Sequence, residues 1–209
     1  MRNTPYNRKN FYTDKARELG YPARSVFKLE EIDKKLKLIK AGFKVLDLGA
    51  APGSWSIYAA KKIGPQGKII AIDLSPLKIQ LKNVFFYQQD LFDVDEKFLA
   101  QIKERHGIDR FDLVLSDAAP ATSGIRNTDA VRSLELVEQA FAIAKMCLKN
   151  KGNFVVKVFE SNEINDLLKE AQKHFGRFMR FRPQAVRKIS KEFYLVGAKF
   201  KKETTKLNA

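Results

Sequence analysis

The chain has 209 residues, 44% hydrophobic and 11% aromatic, with a formal net charge of +15, which predicts one domain with extensions, or at most two small ones, with a sizeable core and no global disorder. Its single cysteine excludes an internal disulfide and a Cys-built metal site. No run approaches the ~20 apolar residues that cross a bilayer, and residues 1–17 lack the apolar core of a secretory signal. The charge is uneven: residues 1–40 hold 11 basic and 5 acidic side chains, residues 168–209 hold 12 and 3, and residues 41–167 hold 16 of each.

Residues 1–20 show no clear periodicity. Val26, Phe27, Leu29, Ile32, Leu36 and Ile39 recur at helical spacing and predict a helix from Ala23 to about Ile39. Lys44–Leu48 (KVLDL) reads as a buried strand, followed by the turn GAAPG and a helix from Ser54 to Ile63. After the break Gly64-Pro65-Gln66-Gly67 come strands at Lys68–Leu74 and Asn83–Gln88, then a helix from Asp95 to Arg105. Phe111–Ser116 (FDLVLS) is a fourth strand. A long helix over Asp129–Leu148 is predicted to end in the basic turn and glycine stop Lys149-Asn150-Lys151-Gly152. Asn153–Phe159, a helix over Glu163–Phe175, and strands at Arg177–Arg182 and Glu192–Phe200 complete the pattern. The tail from residue 201 is expected to fray.

Alternating strands and helices predict an α/β fold around a mostly parallel sheet, with ligands bound beyond the carboxyl ends of its strands. Those ends carry Asp47, Asp73, Asp90 and Asp117. Between the first strand and its helix, Asp47-Leu48-Gly49-Ala50-Ala51-Pro52-Gly53 lets backbone approach a ligand, and the helix start offers free N–H groups. The turn lacks the GxGxxG of a dinucleotide site, and by itself it also reads as a tight connector. Asp73, 26 residues after Asp47, can accept from both ribose hydroxyls of a nucleoside, and Asp90 from an adenine amino group. Asp90 alone reads equally as a solvated loop residue.

Lys157 interrupts the apolar run Phe154–Phe159, so it needs an anionic neighbour or a snorkelling path to water. Lys28 lies on the flank of its helix's apolar stripe and, alone, reads as a surface lysine. Asp117 follows the fourth strand at the ligand edge. If the last strand runs against the others, its start, Glu192, falls at that same edge and faces Lys157. Cys147 reads as core. His106 and His174 read as solvated residues, and no metal site is expected.

Asp47–Trp55 (DLGAAPGSW), Ser116–Pro120 (SDAAP), Ser123-Gly124, Arg24–Leu29 (RSVFKL) and Phe154–Phe159 (FVVKVF) together resemble the FtsJ/RlmE family of ribose 2′-O-methyltransferases, over about residues 14–196. The resemblance implies a class I, Rossmann-like methyltransferase fold: a seven-stranded sheet with the last strand antiparallel and helices on both faces. It implies a single domain over residues 1–209, made of a basic extension and helix (1–40), the core (41–200) and the tail. It implies S-adenosylmethionine as methyl donor, held by Asp47, Gly49, Pro52, Gly53, Trp55, Asp73, Asp90 and Asp117. Without the motif around it, Trp55 would read as core. The family's Lys-Asp-Lys-Glu tetrad falls on Lys28, Asp117, Lys157 and Glu192, with Lys157 as the proton acceptor. Lysine is a poor base at neutral pH in water, so neighbouring charges must set its behaviour.

Arg177, Arg180, Arg182, Arg187, Lys188 and Lys191, interleaved with Phe175, Phe178 and Phe181, lead up to Glu192, and Lys34, Lys35, Lys37 and Lys40 follow Lys28. Basic ends that only add solubility are the alternative to a polyanion partner. A 2′-hydroxyl acceptor makes that partner RNA. Val186-Arg187 stands where the family usually has Ser-Arg. Relatives of this length without an added RNA-binding module modify a uridine of large-subunit ribosomal RNA, while others act on the tRNA anticodon loop. The ribosomal substrate and a cytoplasmic monomer are therefore expected. A nicotinamide oxidoreductase is disfavoured by the missing GxGxxG and by Lys157. A non-catalytic RNA-binding protein is disfavoured by the complete tetrad.

Overall fold

The computed structural model describes residues 5–120, 126–161, 163–186, 190 and 192–202, and of residues 5–10 and 126–129 the backbone only. Its strands are β1 (Lys44–Leu48), β2 (Lys68–Asp73), β3 (Val84–Gln88), β4 (Phe111–Ser116), β5 (Leu148–Phe159), β6 (Phe175–Phe181) and β7 (Glu192–Phe200). Its helices are α1 (Pro5–Glu18), α2 (Val26–Leu36), α3 (Ser54–Ile63), α4 (Glu96–His106), α5 (Arg126–Cys147) and α6 (Ile164–Lys173). The seven strands form one sheet in the order β3-β2-β1-β4-β5-β7-β6. β7 is antiparallel to β5 and β6, and the other pairs are parallel, as expected from the sequence.

Side chains alternate across the pleat, so each strand feeds two cores. On one face Val45, Ile69, Leu113, Leu115, Val155, Tyr194 and Val196 pack with residues of α2 and α3, including Phe27, Ile32, Trp55 and Ile63. On the other, Leu46, Ile70, Val114, Phe154, Val156 and Leu195 pack with Phe98 and Ile102 of α4, Phe141 of α5 and Ile164 of α6. Cys147 is buried there, as its spacing predicts.

Two stretches differ from the sequence reading. Residues 5–18 are helical despite their weak periodicity, because a narrow contact suffices: Ala16 is buried and the Tyr12 ring packs on Phe27 at 5.4 Å. The expected helix stop at residues 149–152 is instead the start of β5. Leu148 pairs with Phe111 and the register then jumps to Leu113–Asn153, so residues 149–152 bulge opposite Asp112. Lys149 Nζ meets Asp112 Oδ1 at 2.7 Å, and Lys151 takes φ +65°. Strand pairing thus takes over Leu148 from the helix.

The register carries the site. Leu48 pairs with Ile72 and Ser116, and Ser116 pairs with Val156. One residue further along, Gly49 stands between Asp73 and Asp117, with Asp117 beside Lys157. Lys157 pairs with Tyr194. Asp73, Gly49, Asp117, Lys157 and Tyr194 therefore form a row across five adjacent strands, on the face that α2 and α3 cover.

Candidate active site

The row crosses the sheet where the winding reverses between β1 and β4, the position at which open α/β sheets leave a crevice. Here the turn after β1 passes close to the loop after β4. A Cβ on Gly49 would lie 2.6 Å from Ala118 Cα and 2.8 Å from Ala118 N, and Gly49 has φ +70°, so only glycine fits. Gly53, with φ +111°, precedes α3, and its missing side chain is replaced by Ile79. Pro52 lies in the same turn, and its carbonyl accepts from Lys78 N–H at 3.1 Å.

Asp73 accepts from Ala51 N–H (2.9 Å) and from Ser75 N–H (2.7 Å), one bond to each oxygen. A carboxylate has about four acceptor positions, so Asp73 keeps capacity for two ribose hydroxyls. Asp90 accepts from Phe92 N–H at 3.0 Å, capping the 3-10 turn Leu91–Asp93. Trp55 lies at the start of α3, beside the Gly49–Gly53 turn. The side chain is core, with Nε1 donating to the Ser25 carbonyl at 2.9 Å, so only its main-chain N–H at the start of α3 is left to meet a ligand.

Asp47 is wholly buried. Its Oδ2 accepts from Ser56 Oγ at 2.6 Å, and Oδ1 has no partner among the described residues. Burial pushes its carboxyl up to about 7, against the Ser56 hydrogen bond and with help from the charges of Asp117 and Asp73. Because the folded value lies above the unfolded one, the folded chain holds a proton between roughly pH 4 and 7 that the unfolded chain has lost. Stability from this group therefore falls as pH rises through that window. Asp47→Asn, which mimics the protonated acid, should gain about 2–3 kcal/mol relative to the parent between pH 5 and 8. Thermal unfolding would read this as a relative Tm change of roughly 5–10 °C. Parallel Tm curves for the two proteins would contradict it.

The tetrad converges from four elements. Lys28 on α2, read as a surface lysine, is buried at 9% exposure, and its Nζ pairs with Glu192 Oε1. Lys157 Nζ lies 3.6 Å from Asp117 Oδ1 and 3.4 Å from the Asp117 carbonyl oxygen. Glu192 thus sits at the expected edge but pairs with Lys28, not with Lys157. Opposite Lys157 is Tyr194, which the sequence reading did not single out; an aromatic in an apolar strand carries no signal of its own. Its hydroxyl donates to Asp117 Oδ1 at 2.8 Å and lies 3.1 Å from Glu192 Oε1, joining the two ion pairs. Burial first, then the carboxylates of Asp117 and Glu192, hold the Tyr194 hydroxyl well above its ordinary range, so it stays a neutral donor. Burial alone would raise the Glu192 carboxyl, but Lys28, with Lys157 and Tyr194, brings it below the usual glutamate value.

The two basic ends meet. Glu31 of α2 accepts from Gln184 N–H (2.6 Å) and Ala185 N–H (3.0 Å), and Lys35 Nζ stacks 5.4 Å from the Phe181 ring. Lys34, Lys35, Lys37, Lys40, Arg177, Arg180 and Arg182 are exposed. They do not make a single stripe. Arg180 reaches the other face of the sheet, stacking 5.1 Å from Phe193 and meeting Asn165 Oδ1 at 3.4 Å. Arg187, Lys188, Lys191 and the motif residues Ser123 and Gly124 lie outside the described residues. Among those described, no three His, Cys, Asp or Glu side chains can hold a metal ion, and no helix is long and apolar enough to cross a membrane. The two histidines are packed and not freely solvated. His106 meets the Tyr87 hydroxyl at 2.7 Å, and His174 packs on Phe141 at 5.5 Å.

Residues 21–200 match the model of the FtsJ-like methyltransferase family. The chain belongs to this family. It is 49% identical over 193 residues to the ribosomal RNA large subunit methyltransferase E of Bdellovibrio bacteriovorus, spanning 92% of this chain and 97% of that one. It is 44% identical over 202 residues to the protein of the same name in Lawsonia intracellularis, spanning 96% and 98%. A Plasmodium falciparum structure described as a candidate ribosomal RNA methyltransferase superposes with TM-score 0.77 at 26% identity, covering 88% of this chain and 100% of that one. Aeropyrum pernix fibrillarin, crystallised with S-adenosyl-L-methionine, shares the fold at TM-score 0.52 and 15% identity, over 77% of this chain and 68% of that one. The methyltransferase uses S-adenosylmethionine, as its family does, and the residues present fit that donor. The Gly49–Gly53 turn brings backbone to the crevice, Asp73 and Asp90 offer acceptors, and Asp47 Oδ1 stands unpartnered beneath.

Proposed function

We propose that this methyltransferase modifies the 2′-hydroxyl of a uridine ribose in large-subunit (23S) ribosomal RNA, acting as a single-domain cytoplasmic monomer. The observation that supports the reading best is the meeting of Lys28, Asp117, Lys157 and Glu192 beside the β1 turn. The names of the relatives in Bdellovibrio bacteriovorus and Lawsonia intracellularis favour the ribosomal substrate.

S-adenosylmethionine, when bound by Asp47, Gly49, Pro52, Gly53, the Trp55 main chain, Asp73, Asp90 and Asp117, supplies an electrophilic sulfonium methyl. A ribose hydroxyl is a weak acid, so a base must take its proton as it attacks. Lys157 Nζ takes that proton: among the described residues its polar contacts, both to Asp117, are 3.4 and 3.6 Å long, and it carries no short hydrogen bond. Lys28 and Glu192 orient the ribose from the α2 side, and Asp117 links the donor's side of the crevice to Lys157. The exposed lysines after α2 and the arginines of β6 and its loop grip phosphates, so binding weakens steeply with salt.

Incubating the protein with labelled S-adenosylmethionine and large ribosomal subunits from a strain lacking this methyltransferase should place label on one 2′-O-methyluridine of the large-subunit RNA. Nucleotide mapping reads the position. Label confined to tRNA, or no label in any RNA, would overturn the proposal.

A further inference from the structure

Tyr194 is fully buried, and its ring is fixed by Trp55 at 5.7 Å, with Lys28 Nζ 5.9 Å from its centroid. A tyrosine hydroxyl carries one hydrogen. The shorter contact, 2.8 Å, goes to Asp117 Oδ1, the same oxygen that Lys157 approaches only to 3.6 Å. Glu192 Oε1, 3.1 Å away on the other side, is already paired with Lys28. Among the described residues, the charged groups around Lys157 are Asp117 after β4, Glu192 at the start of β7 and, through Glu192, Lys28 on α2; the Phe159 ring lies 5.4 Å from its Nζ. Among the described residues, only Asp117 lies within ion-pair distance of Lys157, and its nearer oxygen also accepts from Tyr194.

We propose that Tyr194 is a positioning residue whose hydroxyl draws the Asp117 carboxylate off Lys157, leaving the Lys157 amine free to accept the ribose proton. The inference rests on Lys157 being the proton acceptor. An amine held in a short ion pair with a carboxylate keeps its proton to higher pH and is a weaker base at neutral pH. A distance of 3.6 Å, beside a carbonyl contact of 3.4 Å, orients the amine without clamping it. Tyr194 also shields Asp117 from Glu192, since its single proton lies between two carboxylates that would otherwise repel each other.

Tyr194→Phe keeps the ring and removes the hydroxyl. With large ribosomal subunits as substrate and tritium-labelled S-adenosylmethionine, its kcat at pH 7 should fall about tenfold and recover toward the parent value above pH 9. That is a shift of about one pH unit, to higher pH, in the ascending limb of the profile. Donor affinity should change less than twofold. Incorporating 3-fluorotyrosine at position 194, a near-isosteric and stronger donor, should move the limb to lower pH. This second variant keeps the test open should Tyr194→Phe not fold. NMR of the lysine-labelled protein, following the Lys157 side chain without turnover, should shift in the same directions. A profile that keeps its shape in both variants, or a uniform loss at every pH, would overturn the positioning role. If instead Lys157→Ala retained turnover, the assignment of the base would fall, so the two failures are distinguishable.

Discussion

Lys157→Ala is expected to lower the rate of methyl transfer by roughly 10²–10⁴-fold, the range for a lost general base, while S-adenosylmethionine affinity stays within about threefold. The two effects separate because of where the side chain lies. Lys157 is on β5, and among the described residues its polar contacts are to Asp117 alone. Apart from Asp117, the proposed donor-binding groups lie on the other side of the switch point, in or beside the turns after β1, β2 and β3. Removing the amine leaves Asp117 with its Tyr194 hydrogen bond, so the crevice keeps its shape. Single-turnover kinetics with saturating donor, and equilibrium dialysis of donor alone, measure the two quantities. Turnover at the parent rate would remove Lys157 from the base role. A parallel collapse of donor binding would move it to the cofactor site.

Gly49→Ala should cost about 3 kcal/mol of stability and about a hundredfold in kcat. An alanine at φ +70° meets roughly 1 kcal/mol of backbone strain. The larger part comes from contact: its Cβ would lie 2.6–2.8 Å from Ala118 backbone and Cβ, so one of the two loops must shift, at a typical overpacking cost of about 1–3 kcal/mol. Asp117 precedes Ala118, so that shift displaces the carboxylate against Lys157 and Tyr194. An error of about 1 Å near the reacting atoms costs on the order of 10²-fold. Gly107→Ala is the control. It shares a positive φ, +67°, but nothing lies within 4 Å of its Cβ, so it should lose only about 1 kcal/mol and no activity. Thermal unfolding and methyl-transfer rates of the two variants check both parts. Equal behaviour of the pair would mean that the approach of the two loops is irrelevant to the site.

Much of the architecture could be read along the chain because its signals are local. Mostly apolar stretches of five or six residues mark β1, β2 and β4, and Asp95 caps α4 through Phe98 N–H at 2.8 Å. The aspartates closing β1 and β2 and following β3 and β4 are legible for the same reason. Leu148–Gly152 is not. Its propensity is that of a helix end, and only pairing with Phe111 across the sheet makes it strand. Lys28 is illegible in another way, since its position on the flank of α2 becomes interior only when Glu192 arrives from a residue 164 positions away.

The sequence by itself determined the order of elements, the acidic strand ends, the small-residue turn after β1 and the uneven placement of charge. Each depends on neighbours within a few residues. The tertiary structure alone decided which charges pair. β7 inserts between β5 and β6, which sets Tyr194 against Lys157 and Glu192 against Phe159, two residues further along. That shift sends Glu192 to Lys28 and leaves Tyr194 to hold Asp117. A burial that makes such pairs strong also depends on strands and helices far apart in the chain closing over them, and no local pattern encodes it.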